Sequence, residues 1–272
     1  MDTGNKPSWQ QAFSDLIYWK WQGLPSAPSV QSAVGFMEQA LQLTEGARVL
    51  DLGSALGYHS LELARRGYEV TGLEWSPAFL EKARQAAAEA RLRVNFVRGD
   101  MTRLEFAAEF DAVVLWGNTF GIFSEEENFQ TLVGLRRALK PGGKALIDTE
   151  NYSGLNLSRG RDKDWFFRNE EPDLLFLTQD TSDLAQARLG YDVIALDLAS
   201  GRRHTLSFSW RLYLLPELKR LLQAAGLELL GVYGDDPMKT DWNSYESGAP
   251  YPYAVEGFNE NSARRILFCQ GG

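Results

Sequence analysis

Val49-Leu50-Asp51-Leu52-Gly53-Ser54-Ala55-Leu56-Gly57 is an apolar run that ends in an acidic residue and a glycine turn, and an amphipathic helical pattern follows directly. In an open α/β sheet, that turn is where a nucleoside-type cofactor sits. Twenty-three residues after Asp51, a second short apolar segment from Glu69 to Leu73 ends in Glu74. Such sheets present a carboxylate to a ribose diol at that place.

Working outward, apolar periodicity alternates between 2 and 3.6 as a doubly wound fold requires. The pattern predicts strands at 48–52, 69–74, 93–97, 111–116 and 145–150, with helices at 58–66, 77–90 and 125–139. Lys140-Pro141-Gly142-Gly143 reads as the turn that stops the last helix before the fifth strand. Right-handed crossovers put the carboxyl ends of all these strands on one edge of the sheet, where ligands of such folds bind.

After Glu150 the rhythm changes to short strand candidates at 165–168, 174–178, 188–198 and 204–210, with Ser200-Gly201 as a hairpin turn. A helix at 216–225 and strands at 227–233 and 263–269 close the chain. The expected fold class is therefore α/β, a Rossmann-like, doubly wound, seven-stranded and mostly parallel sheet with an antiparallel β insertion after strand five. Residues 1–272 read as one domain. Within it, 1–45 form an N-terminal helical cap, and 151–210 form an insertion contributing to the substrate pocket.

The cap contains the aromatic segment Trp9, Phe13, Tyr18, Trp19 and Trp21 and a helix with Val34, Met37 and Leu41 on one face. The aromatics either pack on the domain or close over the cofactor. A long loop, 234–262, carries Trp242, Tyr245, Tyr251, Tyr253 and Phe258. Loops of that length inside domains are usually functional or mobile.

With 28 basic and 36 acidic side chains the net charge is −8, which gives no general attraction to nucleic-acid backbones or anionic membranes. A small or uncharged substrate is expected, with no nucleic acid and no membrane partner. The single cysteine, Cys269, excludes an internal disulfide and a cysteine-cluster metal site, and reads as a buried thiol in a reducing compartment. No leader pattern opens the sequence and no apolar stretch approaches the ~20 residues of a bilayer span, so the expected location is the cytoplasm.

The turn lacks the three-glycine spacing of a dinucleotide fingerprint, which disfavours an NAD-dependent oxidoreductase. An acidic residue two before the first glycine suits a positively charged amino group. Gly53 and Gly57 let the backbone pass close to a ligand.

On five segments the chain resembles the class I S-adenosylmethionine-dependent methyltransferases, small-molecule type. The segments are Val49–Gly57, Tyr68–Pro77, Gly99-Asp100-Met101, Phe110–Val114 and Leu139–Gly143. It departs from them at Ala55, where the family usually has glycine, and at Ser54, often cysteine or glycine there.

The resemblance implies S-adenosyl-L-methionine as cofactor and S-adenosyl-L-homocysteine as product. It places Gly53, Ala55 and Gly57 beside the methionine part, with Asp51 near its amino group and Glu74 on both ribose hydroxyls. Trp75 and Met101 would flank adenine, and Asp100 would accept from its amino group. Trp116 and Gly117 would face the methionine moiety and the transferred methyl, and Tyr18 would close over the cofactor. Singly, Trp75 and Trp116 read equally as core residues.

The implied reaction is in-line displacement of a methyl group onto nitrogen or oxygen of a small acceptor, which makes no catalytic residue obligatory. His59, Tyr18 and His204 are the candidates for direct chemistry; as helix-start and hairpin residues, the two histidines read equally as packing or solvated groups. The alternative is a non-catalytic binding or regulatory protein on the same fold. No His and carboxylate spacing suggests a metal. Arg159, Arg161, Lys163 and Arg168 read as a solvated face or as a cradle for an anionic substrate.

Overall fold

The structure, a computed structural model, describes residues 9–13, 16–150, 166–171, 173–183, 185–235, 253–254 and 264–272. Helices α1 (Trp9–Ala12), α2 (Ile17–Gln22) and α3 (Ala27–Leu41) precede the first strand. Strands and helices then alternate through β1 (Arg48–Leu52), α4 (Tyr58–Arg65), β2 (Glu69–Glu74), α5 (Pro77–Ala90), β3 (Val94–Arg98), β4 (Phe110–Leu115), α6 (Glu125–Ala138) and β5 (Leu139–Glu150).

β1 lies inside the sheet because its side chains are apolar on both faces: Val49, Leu50 and Leu52 are all fully buried. It pairs in parallel with β2 and β4, which in turn pair in parallel with β3 and β5. Helix starts are set by local chemistry. Ser76 caps α5 ahead of Pro77, and Ser124 forms a reciprocal capping box with Glu127 on α6.

After β5 come β6 (Phe166–Glu171), β7 (Leu174–Asp183), β8 (Arg188–Asp197) and β9 (Arg203–Arg211), an antiparallel sheet of its own. Next are α7 (Leu215–Ala224), β10 (Leu227–Asp235), β11 (Tyr253–Ala254) and β12 (Arg264–Gly271). β12 runs antiparallel between β5 and β10, which completes a seven-stranded, mostly parallel sheet; the two-residue β11 extends it at the β10 edge. Cys269 is fully buried there, and burial pushes its thiol up to about 12. Among the described residues, no helix is long and apolar enough to cross a membrane.

A local departure lies at Lys140-Pro141-Gly142-Gly143, expected as a turn. α6 does end at Ala138, but these four residues already belong to β5, in a bulge between the pairs Phe110 with Leu139 and Ala112 with Lys144. A bulge tolerates a proline without an N–H and lets Gly142 take its positive φ of 74°.

The N-terminal aromatics pack on the antiparallel sheet. Ala12, Ile17 and Tyr18 share a buried cluster with Phe176, Val193, Leu206 and Phe208, and the Trp21 indole N–H donates to Thr178 Oγ1 at 3.0 Å. This second sheet is thereby fastened to the chain's first helices, which also reach the edge of the large sheet where β1, β2 and β4 end.

Candidate active site

A cavity opens at that edge, and its floor is the glycine turn. The N–H groups of Gly53 and Ser54 both donate to the Leu73 carbonyl, at 2.9 and 3.0 Å, which ties the turn to the end of β2. Gly53 has φ 78°, and a Cβ there would stand 2.9 Å from Met101 Cε and 3.4 Å from Thr119 Cγ2. The glycine therefore leaves open a space that any side chain would fill. Ala55, at φ 49°, holds the same left-handed conformation despite its methyl group, and its N–H donates to Glu74 Oε2 at 2.9 Å.

Glu74 is 8% exposed and accepts a second backbone bond, from Ser76 N–H to Oε1 at 2.7 Å. Burial raises its carboxyl above the ordinary range, against the pull of those backbone donors, and nearby Asp51 raises it further. Asp51, 3% exposed, is pushed up to about 6 by burial, although the Ser60 hydroxyl donates to its Oδ2 at 2.5 Å.

The opposite wall follows β4. Trp116 is buried, and the Thr119 hydroxyl donates back to its carbonyl at 3.0 Å. The backbone N–H groups of Gly117 and Asn118 donate to Asp148 Oδ2 at 2.9 and 3.3 Å. Arg188, on β8, donates to the carbonyls of Ile122 and Phe123 at 3.2 and 3.0 Å and so ties this wall to the antiparallel sheet. The roof is aromatic, with Trp9 wedged edge-on between Trp75 and Phe123 at ring separations of 5.8 and 4.8 Å.

Of the residues singled out in the sequence, Tyr18, Asp51, Gly53, Ala55, Glu74, Trp75, Asp100, Met101, Trp116 and Gly117 line this cavity, as does His59. Tyr18 sits within packing distance of Phe13 and Phe208, so it serves the aromatic cluster and the cavity wall together. Asp100 caps a short 3₁₀ turn, its Oδ1 accepting from both Thr102 N–H and Thr102 Oγ1.

Gly57 and His204 are placed elsewhere. Gly57 lies behind the turn, where a Cβ would come within 2.8 Å of Phe96 Cζ and 3.0 Å of Ala83 Cβ, so its glycine permits helix-on-strand packing. His204 sits on β9 opposite Ala195, away from the cavity. Arg159, Arg161, Lys163 and Arg168, with Trp242, Tyr245, Tyr251, Tyr253 and Phe258, lie outside the residues whose side chains are described.

Lining residues that sequence reasoning passed over include Thr119, Ile122, Phe123 and Trp210. Among the described residues, no three His, Cys, Asp or Glu side chains converge as a metal site.

Residues 49–143 match the family model described as a methyltransferase domain. The cypemycin N-terminal methyltransferase of a Streptomyces species is 30% identical over 195 residues, covering 70% of this chain and 76% of that protein. The chain belongs to the class I S-adenosylmethionine-dependent methyltransferases. A glycine/sarcosine N-methyltransferase from Halorhodospira halochloris is also 30% identical, over 147 residues that make up 53% of this chain and 54% of that one.

Among solved structures, the CcbJ methyltransferase of Streptomyces caelestis shares the fold at TM-score 0.75. Its identity is 22%, over 96% of this chain and 98% of that chain. CalS10 of Micromonospora echinaspora, an amino pentose methyltransferase described with S-adenosylmethionine bound, shares it at TM-score 0.64 and 19% identity, covering 94% and 95%.

The chain's own residues fit the family's cofactor. Among the described residues, no lysine or arginine lines the cavity beside the buried carboxyl of Asp51; a second carboxyl ends β2, and Gly53 keeps an open space between Met101 and Thr119.

Proposed function

We propose that this enzyme methylates the nitrogen of a small-molecule amine. The observation that carries the reading is the charge of the cavity: among the described lining residues the carboxylates are Asp51, Glu74 and Asp100, and no lysine or arginine is present. An anionic acceptor would find no cationic partner among these described residues. A cationic product would be held by the faces of Trp9, Tyr18, Trp116 and Trp210.

Residue roles follow from placement. Asp51 would pair with the ammonium of the methionine part, and Glu74 would accept from the ribose hydroxyls. Gly53, Ala55 and Gly117 would let the backbone approach the ligand, while Trp75 and Met101 would flank adenine, with Asp100 beside its edge. When bound, S-adenosylmethionine supplies a methyl group on a sulfonium, whose C–S electron pair returns to sulfur as the acceptor nitrogen bonds the methyl carbon.

The protein's part is to align the neutral amine and exclude water, which the aromatic roof does. The surplus proton leaves the new ammonium afterwards, so no base need act while the bond forms. A hydroxyl acceptor would need that base, and His59 is the histidine that lines the cavity. The relatives described as N-terminal and glycine/sarcosine N-methyltransferases support nitrogen over oxygen.

The test is incubation with S-adenosylmethionine and matched sets of primary and secondary amines, phenols and carboxylates, with methylated product and S-adenosylhomocysteine read by mass spectrometry. Turnover confined to amines is expected. Methylation of phenols or carboxylates with amines untouched would overturn the nitrogen assignment.

A further inference from the structure

The backbone after β4 adopts an unusual conformation at two successive residues. Gly117 and Asn118 have φ of 79° and 56°, both left-handed. Glycine takes that region without penalty, and asparagine more readily than other side chains, yet it still costs Asn118 on the order of 1 kcal/mol. Two adjacent left-handed residues point their N–H groups the same way, and both groups meet one atom, Asp148 Oδ2, at 2.9 and 3.3 Å.

Asp148 stands on β5, fully buried, and does not line the cavity. The residues it holds, Gly117 and Asn118, do line it, and so does the next, Thr119. Thr119 is fixed in turn through its hydroxyl bond to the Trp116 carbonyl, and its methyl marks the far side of the space left open above Gly53. The separation between the glycine turn and the post-β4 wall is therefore referred back to one buried carboxylate, 31 residues away from Gly117 in sequence.

We infer that Asp148 is a positioning residue of the active site: by accepting from Gly117 and Asn118, it holds the left-handed wall at the distance from Gly53 that the cofactor needs. The inference rests on the cavity being the cofactor site. A carboxyl oxygen is well suited to the task, because its two lone pairs can accept from both N–H groups at once and offset the local strain. A merely structural buried aspartate would support the sheet without setting the width of the cavity.

The experiment compares wild type with Asp148→Asn, Asp148→Ala and the double variant Asp148→Ala/Asn118→Gly. Three readouts are taken: calorimetric Kd for S-adenosylmethionine, Tm, and the amide resonances of Gly117 and Asn118 in ligand-free, isotope-labelled protein. Asp148→Asn keeps a carbonyl oxygen at the same place and should change Kd by less than about threefold, with both amide resonances shifted as an amide oxygen replaces the carboxyl oxygen they donate to. Asp148→Ala should weaken binding by about tenfold or more, since a wall displaced by about 1 Å misaligns the ligand.

Adding Asn118→Gly should recover most of that affinity while Tm stays low, because glycine holds the left-handed conformation unaided but restores no hydrogen bond. A folded Asp148→Ala protein with wild-type Kd would overturn the inference, as would a loss of affinity that the added glycine leaves untouched. If the alanine variant does not fold, unchanged amide resonances in Asp148→Asn overturn it as well. Amide shifts that respond as expected in a protein that binds no S-adenosylmethionine would uphold the anchoring by Asp148 and instead overturn the reading of the cavity.

Discussion

Ala55→Gly is a substitution to glycine that should stabilise this protein. Ala55 holds φ 49°, where a Cβ crowds its own carbonyl at a cost of about 1–2 kcal/mol. Glycine relieves that strain but adds about 0.4–1 kcal/mol of unfolded-chain entropy. Losing one half-buried methyl subtracts a few tenths more. The balance is a gain of about 0.5 kcal/mol, or roughly 1–2 °C in Tm for a chain of this size.

Gly53→Ala, two residues away, should move the opposite way. Its φ of 78° imposes the same strain, and the new Cβ would meet Met101 Cε at 2.9 Å. Calorimetric scanning of both variants gives the stability, and titration with S-adenosylmethionine gives the affinity. Ala55→Gly should bind as tightly as wild type or more so, since the bond from residue 55 N–H to Glu74 Oε2 needs no side chain. Gly53→Ala should bind more weakly because its methyl enters the cavity. A fall in Tm for Ala55→Gly with no change for Gly53→Ala would refute the claim that backbone strain in this turn governs both residues.

Asp51, with its folded carboxyl pushed up to about 6 against an ordinary 3.8, makes both stability and binding depend on pH. Between those values the folded chain carries the extra proton, so the free protein loses stability as pH rises from about 3.8 to 6. Pairing with a ligand ammonium should expel that proton; S-adenosylmethionine affinity should then climb by up to about tenfold per pH unit and level off above about 6. Calorimetry in buffers of different ionisation enthalpy would read the released proton, and a flat profile would contradict it.

Glu74→Gln keeps the shape of the side chain but offers one acceptor oxygen where Oε1 and Oε2 accept from Ser76 and Ala55 N–H; it should raise Kd by about 10- to 100-fold and lower Tm as one backbone donor loses its acceptor, as measured by titration beside thermal scanning. Arg188→Ala leaves the Ile122, Phe123 and Ser209 carbonyls without their shared donor and should cost about 2 kcal/mol in a urea titration. Arg188→Lys should recover only part of that loss, since an ammonium cannot reproduce the planar fork.

How far the sequence could be read depended on the range of each interaction. Residues 48–98 were legible almost to the residue because strand period, helix period, the Ser76-Pro77 cap and the glycine turn are all local signals. Asp51, Glu74 and Asp100 were legible for the same reason: each follows or ends an apolar run at the ligand edge. The Lys140–Gly143 bulge was misread because proline and glycine announce irregular backbone without saying whether a strand absorbs it. Gly57 was misplaced because a glycine demanded by Phe96 and Ala83 looks the same in a motif as one demanded by a ligand.

The residues that went unnoticed act across long stretches of chain. Arg188 reaches Phe123 over 65 residues and Asp148 reaches Gly117 over 31, and neither carries a local pattern that names its partner. Asp148 did leave a faint trace, as a polar residue late in the apolar run Ala145-Leu146-Ile147 on the strand edge where ligands bind. A buried carboxylate in that position requires donors, and the nearest unpaired donors in such a fold belong to the loop after the neighbouring strand. The same reasoning separates the two halves of the cavity. The lining at the ends of β1 and β2 is built from short-range motifs and was visible in advance. The lining from α1, α2, the post-β4 wall and β9 is assembled from distant stretches of chain, with the post-β4 wall tied back by Asp148 and Arg188, and its shape exists only once the chain has folded.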